Sequence, residues 1–171
     1  NLAHIDTGLA ATVAKNLGLP APDKAKLAEV TPSPALSQIG RTWPVDGRQI
    51  GILTTADTPQ EQVTALAADI AAAGMVPLVV AEHGGDGVSR TYDTARSIEF
   101  DAVVVADIAD RPEVAVLLAE AFRHQKAIAL LAGLDPVHVD TGAPGVVELT
   151  GLGEAVEKLT PLLEAHRVWD R

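Results

Sequence analysis

From Arg48 onward the chain alternates short apolar runs with longer amphipathic segments. The runs are QIGILTT (49–55), VPLVVAE (76–82), DAVVVAD (101–107), KAIALLA (126–132) and PGVVELT (144–150). Each is rich in β-branched residues and apolar on both faces, as strands covered by helices on both sides are. Alternation of this kind predicts βαβ units. With right-handed crossovers, five strands in this order predict an α/β, doubly wound, flavodoxin-like sandwich with a mainly parallel five-stranded sheet in the order 2-1-3-4-5 or a close variant.

The amphipathic segments carry their own boundaries. Thr58, Pro59 and Glu61 predict an N-cap, a proline at the first helical position and a capping-box partner. Val63, Leu66, Ala67 and Ile70 form that helix's buried stripe, and Gly74 ends it. Asp110 and Glu113 predict the same start for a helix burying Val114, Leu117, Leu118 and Phe122. A last helix over about 152–167 buries Val156, Leu159, Leu162 and Leu163, with Pro161 kinking or restarting it. Between the second and third strands, HGGDGVSRTYDTARSIEF (83–100) follows neither period and reads as a surface excursion.

Ahead of the sheet the pattern changes. Residues 5–18 predict a short helix capped by Asp6 or Thr7, with a Leu9, Val13, Leu17 stripe and Gly18 as a left-handed terminator. Residues 20–49 carry five prolines and no apolar period, which predicts an arm laid over a neighbour with Leu36, Ile39, Trp43 and Val45 as anchors. The expected division is residues 1–47 as N-terminal helix and extended arm and residues 48–171 as the α/β domain.

Composition removes several classes of function. A formal charge of −10 with no Lys/Arg cluster opposes nucleic-acid binding, and an aromatic content of 3% offers no stacking platform. No apolar run approaches the ~18 residues of a membrane-spanning helix, and a cytoplasmic location is expected. Zero cysteines exclude disulfides, thiolate metal sites and thiol catalysis. The first residues lack a secretory pattern and an initiating Met, so the chain is expected to be a fragment or processed product.

In an α/β sheet, chemistry gathers at the carboxyl ends of the strands. After the first strand a phosphate site needs a glycine-rich loop, but TTADTPQE (54–61) has no glycine and places Asp57 and Glu61 where an anion would sit. His83 with Asp86 and His138 with Asp140 are isolated loop pairs, too few for a metal. His124 and His166 fall at helix ends, where a cation complements the dipole. Ser89 and Ser97 lack a nucleophile-turn context. After KAIALL the turn is Leu131, Ala132 and Gly133, none of which can act as acid, base or nucleophile.

Four segments in order, PSPALSQ (32–38), TYDTARSIEFDAVVVAD (91–107), AFRHQKAIALLAG (121–133) and AHRVWDR (165–171), resemble the C-terminal domain of large-subunit haem catalases. That domain is similar in fold to glutamine amidotransferases and intracellular cysteine peptidases. Their A-I-C-A-G turn aligns with Ala129–Gly133, so the nucleophilic Cys is replaced by Leu131. Their acidic partner falls near Asp57 and Glu61. The resemblance thus implies a vestigial pocket of Leu131, Ala132, Gly133, Asp57 and Glu61 that has lost its chemistry.

It further implies a chain with no cofactor and no catalysis of its own. Haem, its tyrosine ligand and hydrogen-peroxide chemistry would belong to a catalase core elsewhere in a parent protein. The implied partners are that core and neighbouring subunits of a tetramer, which the domain would stabilise or whose substrate access it would influence. A chaperone-like holdase acting on unfolded clients is the alternative, and a small-molecule enzyme using Asp57, Glu61 and a loop histidine is a third.

Overall fold

The computed structural model describes residues 2–23, 31 and 33–171. Part of the expected arm, residues 24–30 and 32, lies outside them. The chain falls into two compact units, Asn1–Ser37 and Gln38–Arg171.

In the first unit, α1 (Leu2–Ile5) leads into α2 (Thr7–Asn16). The Asp6 carboxylate accepts the Leu9 amide at 2.8 Å and so caps α2, and Gly18, at φ 68°, ends it. The expected stripe is not what is buried. Leu9, Val13 and Leu17 are exposed, while the small residues Ala3, Ala10 and Ala14 are buried, because alanines let two short helices approach closely. Leu36 is likewise 83% exposed, so it anchors nothing within this unit.

The second unit is one parallel sheet of six strands: β1 (Gln49–Leu53), β2 (Val76–Ala81), β3 (Arg90–Thr91), β4 (Ala102–Val105), β5 (Ala127–Leu131) and β6 (Val146–Leu149). They stand in the order β3-β2-β1-β4-β5-β6. Without the two-residue β3, the five expected strands take the 2-1-3-4-5 order. Alternate side chains feed opposite faces. Ile50, Ile52, Val104 and Ala129 meet α3 (Gln60–Ala72) and α5 (Ala155–Glu164), whereas Leu53, Val103, Val105, Ile128 and Leu130 meet α4 (Pro112–Arg123).

The excursion over 83–100 is half core, not surface. Besides adding β3, it buries Tyr92, Ala95, Ser97 and Phe100 on the α4 face, where it takes the place of a helix. Its irregular backbone points these residues inward at unequal intervals, which hides them from any periodic reading. Gly51 makes room for it: a Cβ there would lie 3.0 Å from the Phe100 ring.

Helix starts also differ from expectation. Thr58 does not cap α3; its hydroxyl accepts the Thr55 amide at 3.0 Å, and Pro59 holds the N-cap position without a side-chain bond. Asp110 does not cap α4 either. Arg111 precedes Pro112 and its guanidinium pairs with Asp93 at 2.6 Å and Glu113 at 3.3 Å. Pro161 lies within α5 without ending it, and the helix stops at Glu164. Of the expected anchors, Trp43 and Val45 are half-buried in this unit, with the Trp43 amide donating to the Glu164 carbonyl at 2.8 Å, while Ile39 is exposed. No helix among the described residues is long and apolar enough to cross a membrane.

Candidate functional site at the carboxyl edge of the sheet

The turn after β5 is made by short-range bonds. The Leu134 amide donates to the Leu131 carbonyl at 3.2 Å, the Ala132 amide ties the turn to Leu149 of β6 at 2.8 Å, and Gly133 takes φ 86°. Leu131 itself keeps an ordinary backbone and packs, half-buried, against the α3/α5 core. No helix follows the turn; residues 132–145 run as irregular chain to β6. A nucleophile turn is a strained strand-to-helix joint whose helix N-terminus supplies donors, so reactive atom and supporting backbone both differ here.

Leu131 and Gly133 line a cleft of about 470 Å³ with Leu134, Asp135, Thr141 and Glu148. A second cleft, of about 440 Å³, opens at the end of β1 and is lined by Thr54, Thr55, Asp57, Glu82 and His83 among others. Asp57 is exposed at its rim and Glu61 is exposed outside both clefts. Since β4 stands between β1 and β5, the turn and Asp57 meet different clefts, and Glu61 meets neither.

The second cleft is built by a small network. Thr55 donates its hydroxyl to Asp107 at 2.5 Å and accepts the Asp57 amide at 3.2 Å, while the other Asp107 oxygen accepts the Ile108 amide at 2.8 Å. Glu82 and Asp107 were legible as the last residues of their apolar runs, the position where strand-end chemistry sits. Among the described residues no group of three or more His, Asp or Glu is placed to hold a metal ion. Nearby, Tyr92 donates its hydroxyl to the Thr54 carbonyl at 2.9 Å, and burial pushes its pKa far above the ordinary phenol value.

On the α4 face, Ser97 donates its hydroxyl to Glu120 at 3.1 Å, with His124 Nδ1 at 3.5 Å. Ser97 is 1% exposed, so it lies out of reach of a substrate. His124 forms the C-cap of α4, as expected for a helix end. His166 follows the α5 C-cap, but its Nδ1 accepts from Arg48 at 3.2 Å, so it sits there as a neutral acceptor and not as a cation on the dipole.

Comparison with known proteins agrees with this geometry. Residues 46–171 match the family described as the C-terminal domain found in long catalases. Over 99% of its length the chain is 32% identical to catalase HPII of Pseudomonas putida, covering 27% of that protein. It is 27% identical to catalase-2 of Bacillus subtilis over the same share, covering 28% of it. It is 34% identical to catalase HPII of Mycobacterium avium over 78% of the chain, covering 22% of that protein. The chain thus spans about a quarter of the length of these relatives. An α/β sheet with aliphatic residues at the turn after β5 and a family match over most of the chain lead to one conclusion: the chain belongs to the family of C-terminal domains found in long catalases.

Proposed function

We propose that this chain is a non-catalytic domain of a long haem catalase, with haem and peroxide chemistry in a core beyond these residues. In that protein it stabilises the tetramer against its neighbouring subunits or shapes the route of substrate to the haem. A cytoplasmic location is part of the proposal. The observation that carries the reading is the β5 turn, where the strand-end position for chemistry holds Leu131, Ala132 and Gly133. Tyr92 adds to it. The chain's one tyrosine is buried, with its hydroxyl engaged by Thr54, so it does not fit the phenolate ligand that a catalase haem needs.

The test is to supply haem to the purified chain, record its visible spectrum and follow peroxide consumption. No haem absorption band and no consumption above buffer are expected; a band with turnover would overturn the reading.

A holdase role is favoured by one separate observation. Ile5 (82% exposed), Leu9, Leu17 and Leu19 leave apolar surface open on the first unit. If that surface engages unfolded clients, the chain suppresses light scattering from a heat-aggregating protein at equimolar ratio, and Leu9→Ser with Leu17→Ser abolishes the effect. Undiminished scattering would remove this second reading.

A further inference from the structure

The stretch leading into β1 is held at two places. The turn over Val45–Arg48 is tied to the sheet by backbone, with the Gly47 amide on the Gly74 carbonyl at 2.9 Å and the Val76 amide on the Arg48 carbonyl at 2.8 Å. Ahead of it, Trp43 is held at the end of α5. Its amide donates to the Glu164 carbonyl, and its ring lies 5.9 Å from the His166 ring at a 47° tilt.

His166 sits at φ 69°, a conformation rare outside glycine and asparagine, because its amide closes the helix end on the Leu163 carbonyl at 2.9 Å. That conformation presents its ring between Trp43 and Trp169, with the Trp169 ring 6.5 Å away. Arg48 Nη1 donates to His166 Nδ1 at 3.2 Å and to Asp101 at 2.9 Å. A guanidinium has no acceptor atom, so this contact requires Nδ1 to be unprotonated and places the ring proton on Nε2.

We propose that His166 is a proton-operated latch: neutral, it accepts from Arg48 and ties the stretch before β1 to the end of α5; protonated, it loses that bond and the tie opens. The charged groups facing it are Arg48 from the stretch before β1, Asp101 from the turn before β4 and Arg167 beside it in the chain. Asp101 favours the protonated ring, but its carboxylate is already shared between Arg48 and the Gln49 amide at 2.9 Å. Burial first, then the two arginines, hold the His166 pKa below the ordinary imidazole value.

A histidine held low in the closed state and ordinary in the open one binds more protons when open. The closed form is therefore fully stable above about pH 6.5 and weakens as pH falls toward the lowered midpoint. Nuclear magnetic resonance of the 171-residue chain between about pH 8 and pH 5 tests this. Ring-nitrogen shifts are expected to show His166 Nδ1 unprotonated at neutral pH, with a midpoint below about 6.5.

Protection of the Trp43 amide from exchange should hold steady above about pH 6.5, fall beneath it, and level off below the His166 midpoint. His166→Asn keeps the left-handed backbone and a side-chain acceptor without titrating; it should keep protection independent of pH. A proton on Nδ1 at neutral pH, a midpoint at or above 6.5, or the same decline in H166N would overturn the latch. The first two readouts need no variant.

Discussion

Lys126 stands at the joint between α4 and β5, 5% exposed, and its ammonium donates to the Ser97 carbonyl and, at 2.5 Å, to that of Phe100. Burial first, then Arg167, lowers its pKa, so the charge is held at a cost that the two carbonyls offset. Lys126→Met keeps the apolar stem and orphans both carbonyls, which should lower stability by about 1–3 kcal/mol in urea unfolding. The sign of the pH effect follows from the lowered value. Below about 10.4 the unfolded chain binds more protons at this site than the folded one, so the Lys126 contribution to stability rises with pH through that window. The variant should lose this rise. Sequence offered only a lysine before an apolar run. Its partners precede it by 29 and 26 residues on an irregular segment, and no local pattern points there.

Whole elements were legible where neighbours in sequence decide them. The strands declared themselves as apolar runs, and the structure trims each by one to three residues. The helix starts misled because a hydroxyl that can cap can also serve a turn, and Thr58 serves the amide of Thr55. The 83–100 segment misled more, since its inward residues obey no period and are fixed by contacts to β1, α4 and Lys126. Val104 tests the sheet itself. It is fully buried in β4, between β1 and β5. Val104→Asp should unfold the domain, because an unpaired buried carboxylate costs several kcal/mol against a total of roughly 5–15. A near-normal melting temperature would be incompatible with the central position of β4.

For the whole molecule, the order of the five long strands was expected from likeness to flavodoxin-like sheets with right-handed crossovers, and the structure has that order. The candidate site was only half legible. The aliphatic turn is a matter of residue identity and could be read directly. That Asp57 and Glu61 stand away from that turn depends on β4 lying between β1 and β5, a consequence of topology and not of spacing. The same topology gives the β5 turn and Asp57 separate clefts along the carboxyl edge.

Trp43 and Trp169 are the only tryptophans in the chain, and both rings border His166. Intrinsic fluorescence is thus a local witness. It reports one corner, where the chain enters β1 and leaves α5, and is blind to the sheet and to both clefts. A fluorescence melt that runs ahead of circular dichroism would mark detachment of that corner, not a failure of cooperativity in the sheet.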